Sequence, residues 1–445
     1  MADFPNVVLI VLDTMRKDIL RLYGGTAQTP SMEALASEGI AYENCIASAP
    51  WTVPSHASLF TGLLPSAHGV HETRAQKISE IYGAMAQSGE EPLAEYLRKR
   101  GYDTAGYSAN GALGPGSGFE SGFSTYQLLD MTTVIDKGAK ATIKSGEKYG
   151  RSKWEITKTL LMTAKFGELA RLYRARRRIA DDYKKKGFPR LKRGGDIIEA
   201  ISSRPLEEPF FLFVNFCEAH EPYIRPKEPG TVADIFAREG VDNRLLKKIR
   251  RAYLGEAAIV DRFVGSIVQD LRARGSYGRT LFVVTSDHGQ ALKEHGYYGH
   301  GTYLYNEILE VPLIVKYPGG KKPRPPSGYQ PLARIPELVK DSLLGLADSE
   351  SVTAYTAVAE SFGSPYSFAI YRNAEGFEPK NDKIDRPRKA AYGGRSKLVI
   401  DGTNGEVEEF TVSGAQADPL ERRKEFENLR AALAELRDPS FILPD

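Results

Sequence analysis

Four short runs of apolar, β-branched or aromatic residues limit the folds open to this chain more than any other feature. They cover residues 6–12, 210–217, 280–286 and 311–317. Runs without polar alternation are typical of strands that are buried on both faces, as in a parallel sheet. Helical patterns lie between them, at 91–100 and 247–274. The alternation predicts an α/β domain, a doubly wound, mostly parallel sheet with helices on both faces.

The last hundred residues show a different pattern. Short strand-like runs at 366–371, 397–400 and 406–411 are separated by turn signals, and a charged helical pattern covers 419–436. This pattern predicts a smaller α+β subdomain with an antiparallel sheet and a terminal helix. We therefore divide the 445 residues into an α/β domain at 1–345 and a C-terminal subdomain at 346–445.

Positive charge is concentrated in one window. Residues 137–193 hold 19 Lys and Arg against 5 Asp and Glu, a net charge of +14 in a chain whose total is +3. Apolar residues recur there at roughly helical spacing, which predicts a basic helical insertion at about 135–193. Two interpretations stay open: a solvated helical insertion, or an electrostatic platform for anionic lipid headgroups, nucleic acid or another polyanion.

The composition is that of an ordinary globular protein, 41% hydrophobic and 26% charged. The longest apolar runs, 7–12 and 210–214, are far shorter than the roughly 20 residues of a membrane-spanning helix. Cys45 and Cys217 lie beside apolar residues and are interpreted as buried free thiols rather than a disulfide framework. We expect a cytoplasmic protein, and a homo-oligomer stays open.

Polar residues with metal-binding side chains follow three of the predicted strands. The first strand ends at Asp13, the second at Glu218 and His220, and the third at Asp287 and His288. In open α/β sheets, ligands bind beyond the carboxyl ends of the strands. Carboxylates and imidazoles gathered at one sheet edge predict a metal-assisted active site, and hence a hydrolytic or transfer enzyme.

The segment WTVPSHASLFTG at 51–62 resembles the nucleophile signature of the sulfatase branch of the alkaline phosphatase superfamily. The resemblance continues in the family's order through the rest of the chain, except for the basic insertion. Its further motifs are PSAHGV at 65–70, AHEPY at 219–223, SDHG at 286–289, EHG at 294–296, VPLIV at 311–315 and SKLVI at 396–400. Several motifs in the family's order are far more specific than one.

Four residues depart from the sulfatase pattern. Thr52 stands where sulfatases have the Cys or Ser that becomes formylglycine, and His56 where the maturation signal needs Arg. Thr14 stands where many sulfatases have a second aspartate, and His300 stands at the position of a substrate-binding lysine. Threonine cannot become that aldehyde. Family members with an unmodified threonine here are typically phosphodiesterases, nucleotide pyrophosphatases or lipid-headgroup transferases.

The resemblance implies a metal site made by Asp13, Asp287, His288 and the Thr52 oxygen. A threonine hydroxyl is a poor nucleophile at neutral pH, and coordination to a divalent cation is one way to activate it. Pro54 fits the first turn of a helix that would begin near Thr52, whose free N–H groups suit a phosphate. Such mixed oxygen and nitrogen ligands suit Mn²⁺, Mg²⁺, Ca²⁺ or Zn²⁺, and spacing does not choose among them.

Two further histidines are candidate catalytic and substrate-binding residues. His220 and His300 are expected to contact the phosphoryl oxygens or the leaving group, or else to join Glu218 around a second cation. His56 and Thr14 are the other candidate substrate-binding residues, with His56 expected to bond near the nucleophile.

These observations predict a metal-dependent phosphoesterase. It would cleave a phosphodiester or phosphonate monoester through a covalent phospho-threonine at Thr52. The alternatives are a transferase that passes the phosphoryl-bearing group to a lipid or glycan alcohol, a sulfate ester hydrolase, and a non-catalytic protein that binds membranes or polyanions.

Overall fold

The computed structural model describes residues 4–71, 85, 88–129, 192–221, 223, 243–324, 326–363, 365, 386–413 and 418–435. Among these residues, no helix is both long enough and apolar enough to cross a bilayer.

One large sheet forms the centre of the protein. Its strands in chain order are β1 (Asn6–Leu12), β2 (Ile40–Tyr42), β4 (Asp103–Ser108), β5 (Thr125–Leu128), β6 (Phe210–Phe216), β7 (Thr280–Thr285) and β10 (Leu313–Lys316). Their spatial order is β2-β10-β7-β1-β6-β4-β5. The short strands β3 (Cys45–Ile46), β8 (Ala291–Leu292), β9 (Tyr298–Gly299) and β11 (Gln330–Pro331) pair outside this sheet.

The central strand β1 pairs in parallel with β6 on one side and β7 on the other. Leu9 lies opposite Phe213 in β6 and Val283 in β7, and every residue of the three strands is buried. Strands buried on both faces need apolar side chains at odd and even positions alike, which accounts for the unbroken apolar runs. The three predicted strands are confirmed at these positions.

The edges of the sheet differ from the prediction. Strand β10 runs antiparallel to β7 and β2, although its apolar run had been interpreted as one more parallel strand. Strands β4 and β5 extend the sheet in parallel beyond β6, and the sequence had not indicated them. Apolarity reports burial but not strand direction, and the segment Asp103–Ser108 contains too many small and polar residues to stand out.

Helices cover both faces of the sheet, so the doubly wound arrangement is confirmed. They are α1 (Pro30–Glu38), α2 (Thr52–Thr61), α3 (Pro65–His68), α4 (Leu93–Lys99), α5 (Gly194–Ser203), α6 (Asn243–Ala273), α7 (Asn306–Leu309) and α8 (Ile335–Leu343). Alternate residues of β1 feed two separate cores. Leu9 packs with Phe60 of α2 in one core, and Ile10 packs with Val264 of α6 in the other.

A second, antiparallel sheet lies in the C-terminal part of the chain. It contains β12 (Thr356–Ser361), β13 (Arg388–Gly393), β14 (Ser396–Asp401) and β15 (Val407–Val412), in that order. The helix α9 (Pro419–Ala434) packs on it through Leu429 and Leu433. The antiparallel sheet and terminal helix are confirmed, and the predicted strand at 366–371 lies outside the described residues.

Most of the basic window lies outside the described part of the chain. Of residues 137–193, the structure describes only Lys192 and Arg193, so the predicted helical insertion stays a prediction. Cys45 and Cys217 are both free thiols. Cys45 is buried, whereas Cys217 is half-buried beside the predicted metal site, with its Sγ 3.6 Å from Asp13 Oδ2.

Phe60 packs helix α2 against the central sheet. Its ring centroid lies 5.0 Å from that of Phe213, 6.1 Å from Phe119 and 6.0 Å from Phe123. We expect Phe60→Ala to lower the free energy of unfolding by about 3–5 kcal/mol, because a buried ring is lost and a cavity remains. Urea denaturation measures the change, with the exposed Leu420→Ala as control. A loss below about 1 kcal/mol, the usual range of surface changes, would contradict this packing.

Candidate metal centre and nucleophile

Four parallel strands of the central sheet deliver the polar residues of the site. Asp13 follows β1, Asp287 and His288 follow β7, His220 lies beyond β6, and Asn110 lies beyond β4. These strands are neighbours in the order β7-β1-β6-β4, and all four point the same way. Their carboxyl ends therefore meet at one edge of the sheet, as the sequence predicted for three of them.

The two aspartates and His288 form a fully buried group. Their ligand atoms all lie within 4.8 Å of one another, and each side chain has no exposed surface. Oδ1 of Asp13 and Oδ2 of Asp287 accept no hydrogen bond, although both are buried. A buried carboxylate oxygen without a partner is costly, and a divalent cation is the group that would neutralise both. The donor set therefore fits a metal ion.

Hydrogen bonds hold the remaining oxygens of both carboxylates in place. Asp287 Oδ1 accepts from the backbone N–H groups of Thr14 at 3.2 Å and His288 at 2.9 Å. Asp13 Oδ2 accepts from the side-chain amide of Asn110 at 2.7 Å. Burial, together with the nearby charge of Asp13, raises the pKa of Asp287 well above its usual value. Two ionised carboxylates this close repel each other, which a cation would relieve.

His288 presents a neutral ring nitrogen toward Thr52. Its Nδ1 lies 2.9 Å from the carbonyl oxygen of Gly289, which only accepts, so Nδ1 carries the proton. Its Nε2 lies 3.4 Å from the Thr52 hydroxyl and 3.4 Å from Asp287 Oδ2. Burial lowers the pKa of His288 to about 4. A neutral imidazole with a bare Nε2 is the form that binds metals.

Thr52 is the first residue of helix α2. Trp51 before it is extended, with φ −157° and ψ 167°, so the helix begins abruptly. The Thr52 side chain is almost fully buried, and its Oγ1 lies within reach of both His288 and the Asn110 amide. The Ser55 hydroxyl donates to the backbone oxygen of Asp287 at 2.6 Å, which fastens the first turn of α2 to the loop after β7.

Asn110 is a site residue that the sequence analysis missed. Its amide Nδ2 donates to Asp13 Oδ2 at 2.7 Å and lies 3.3 Å from Thr52 Oγ1, so it links Thr52 to the candidate metal ligands. Its Oδ1 accepts from Ala112 N–H at 2.9 Å, which fixes the direction of the amide. The sequence gives one weak signal, because Asn110 follows a strand that was not recognised.

His56 contacts the backbone of Thr52, and Thr14 lies beside Asp13 and Asp287. His56 has no exposed surface; its Nδ1 donates to the Thr52 backbone oxygen at 3.0 Å, and burial lowers its pKa to about 4. Thr14 has a left-handed φ of 61°, and its hydroxyl donates to the Asp13 backbone oxygen at 2.7 Å. This strained backbone orients the Thr14 N–H toward Asp287. Substrate contact by either residue stays a prediction.

The structure brings His220 and His300 together beside the metal group. The His300 ring centroid lies 4.6 Å from that of His288 and 5.2 Å from that of His220. His300 is buried and His220 is half-buried. Both rings therefore lie next to the predicted metal ligands.

The suggested role of Glu218 in a second cation site stays a prediction; its Oε2 is buried without a hydrogen-bond partner, but its other oxygen is held elsewhere. Glu218 Oε1 accepts from the Gly194 N–H at 3.0 Å, at the start of α5, so the side chain faces that helix. Lys192 donates to the backbone oxygen of Glu218. Burial raises the pKa of the Glu218 carboxyl to about 8. Among the described residues, the group of acids and histidines able to hold an ion contains Asp13, Asp287 and His288 and omits Glu218.

Comparison with known proteins finds a matching family model, related sequences and a similar fold. A family model described as Sulfatase matches residues 5–342. The arylsulfatase of Clostridium perfringens is 25% identical over 356 residues, 72% of this chain and 70% of that protein. Iduronate 2-sulfatase of Mus musculus is 24% identical over 371 residues, 74% of this chain and 62% of that protein. The phosphonate monoester hydrolase of Agrobacterium radiobacter has a similar fold, with a TM-score of 0.61, 18% identity, and coverage of 97% of this chain and 94% of that one.

The metal group makes a direct prediction about ion content. Asp287→Ala and His288→Ala should each weaken metal binding by about tenfold or more, because each removes an inner ligand. The matched control is Glu218→Gln, which changes a buried carboxyl outside the group and should leave the metal content unchanged. Elemental analysis after dialysis against Mn²⁺, Ca²⁺, Mg²⁺ or Zn²⁺ measures the stoichiometry. Stoichiometric metal in both ligand variants would contradict the assignment.

Proposed function

We propose that this hydrolase, which belongs to the sulfatase family of the alkaline phosphatase superfamily, is a metal-dependent phosphoesterase. Its substrate would be a phosphodiester or a phosphonate monoester. The observation that carries the proposal is the Thr52 hydroxyl, which begins α2 and lies 3.4 Å from His288 Nε2, beside two carboxylate oxygens that accept no hydrogen bond. Phosphonate monoester hydrolases among proteins of similar fold are consistent with this chemistry.

The metal would be held by Asp13, Asp287, His288 and the Thr52 oxygen. When bound, a divalent cation would lower the pKa of the coordinated hydroxyl and neutralise charge on the phosphoryl oxygens. Mn²⁺, Mg²⁺, Ca²⁺ and Zn²⁺ all suit these ligands. His288 needs no deprotonation to act as a ligand, because burial keeps its pKa at about 4.

The residues of the chain support two successive displacements at phosphorus. In the first, a bond forms between Thr52 Oγ and phosphorus while the bond from phosphorus to the alcohol oxygen breaks, and the alcohol leaves with a proton. In the second, water forms the new oxygen–phosphorus bond, the phospho-threonine bond breaks, and Thr52 regains its hydroxyl. The Asn110 amide, 3.3 Å from Thr52 Oγ1, would orient the nucleophile. His220 and His300 would contact the phosphoryl oxygens or the leaving group.

Sulfate ester hydrolysis is the second candidate function, because the curated relatives are named sulfatases. Phosphoryl transfer to a lipid or glycan alcohol shares the first displacement and differs only in the acceptor. A cytoplasmic location, a homo-oligomer, and contact of residues 137–193 with anionic lipid or polyanion stay predictions.

The role of Thr52 can be tested by side-chain removal. Thr52→Ala should lose about 10³-fold or more in turnover of an aryl phosphodiester, because the covalent route disappears. Thr52→Ser keeps a hydroxyl and should retain far more activity. The matched control is Thr61→Ala, at the other end of the same helix, whose hydroxyl donates to Ala57 O at 2.7 Å. Near-wild-type turnover by Thr52→Ala with metal bound would overturn the assignment.

Substrate preference separates the first two candidates. A phosphodiester should have a higher kcat/KM than the matching aryl sulfate. The reason is that Thr52 cannot form the formylglycine hydrate with which sulfatases expel sulfate. Both esters should be measured on the metal-loaded enzyme, and mass spectrometry should find an unmodified Thr52. Faster turnover of the sulfate would make sulfate ester hydrolysis the function.

A further inference from the structure

Three imidazoles of the site each have Nδ1 next to an oxygen. The distances are 2.6 Å from His220 to the Glu221 backbone oxygen, 2.9 Å from His288 to the Gly289 backbone oxygen, and 2.6 Å from His300 to Gln290 Oε1. Carbonyl oxygens only accept hydrogen bonds, so each Nδ1 carries the ring proton. For two of the rings the partner is backbone, whereas for His300 it is a side-chain amide that could turn around.

Glu221 fixes the orientation of the Gln290 amide. Its Oε2 lies 2.8 Å from Gln290 Nε2, and a carboxylate oxygen accepts, so the amide NH₂ faces Glu221. Oε1 of Gln290 must then face His300. Gln290 is fully buried, which leaves its amide without water to exchange these bonds. The chain Glu221–Gln290–His300 thus has one consistent direction of hydrogen bonding.

We propose that Glu221 and Gln290 are positioning residues that keep the proton of His300 on Nδ1, so that His300 meets the substrate through Nε2 as a hydrogen-bond acceptor. The part concerning substrate rests on the proposed function. With Nε2 as an acceptor, His300 would bind an O–H group. This replaces the contact of His300 with the phosphoryl oxygens considered above, because those oxygens also only accept.

The O–H group that fits is the water, or acceptor alcohol, of the second displacement. Its O–H bond breaks, the proton moves to His300 Nε2, the oxygen bonds to phosphorus, and the phosphorus–Thr52 oxygen bond breaks. The proton then passes to the Thr52 oxygen, which restores both residues. A ring protonated at Nε2 could not accept this proton, so the direction of the Gln290 amide determines whether His300 takes part.

Kinetics test the positioning role on the metal-loaded enzyme. Gln290→Leu should lower kcat for an aryl phosphodiester by about 10–100-fold, as for other residues that orient a catalytic group, with little change in KM. The double variant Glu221→Gln, Gln290→Glu keeps an acceptor for His300 and a donor for that acceptor, and it should recover most of the activity. The matched control is Gln330→Leu, a buried glutamine on β11 outside the site.

Nitrogen chemical shifts report the proton position independently of catalysis. Long-range ¹H–¹⁵N spectra of histidine-labelled protein, with His300→Gln to identify the signals, should show the Nδ1–H form in the wild type and in the double variant. Gln290→Leu should lose it. Protonation of wild-type His300 at Nε2, or unchanged kcat in Gln290→Leu, would refute the positioning role of Glu221 and Gln290. Absence of ester hydrolysis would refute the proposed function instead, since the spectra do not depend on it.

Discussion

The mutual burial of Asp13 and Asp287 is the constraint on which the rest of the site depends. Removing a carboxylate from water costs several kcal/mol, and a second one nearby adds repulsion. The chain places both on adjacent parallel strands, β1 and β7, and satisfies only one oxygen of each with hydrogen bonds. A cation resolves this conflict, and the Thr52 hydroxyl lies at the edge of the same space. A bound ion at this position would link folding to the proposed catalytic chemistry.

Neutral groups surround this pair: the Asn110 amide and two backbone N–H groups donate to the carboxylates, and His288 is a neutral candidate ligand. Burial lowers the pKa of His56 and His288 to about 4, and backbone oxygens keep the proton of each ring on Nδ1. Positive charge at the phosphoryl group would therefore come from the metal and from the N–H groups at the start of α2. This arrangement would suit the proposed role of Thr52, a hydroxyl that has to be activated by coordination.

Sequence patterns predicted those parts of the molecule in which local chemistry determines structure. The unbroken apolar runs at β1, β6 and β7 report burial on both faces, and the residues after them reach the same edge because parallel strands share a direction. The antiparallel direction of β10 was not predicted, because the direction of a strand depends on its partners and apolarity reports only burial. Asn110 was missed because β4 is rich in small residues.

The stereochemical course at phosphorus tests the covalent mechanism most directly. Hydrolysis of a phosphodiester analogue that is chiral at phosphorus, carrying one sulfur and run in ¹⁸O water, reports how many in-line displacements occur. Two displacements through Thr52 predict net retention of configuration. Net inversion would show that water attacks the ester directly, and Thr52 would then be a ligand rather than the nucleophile.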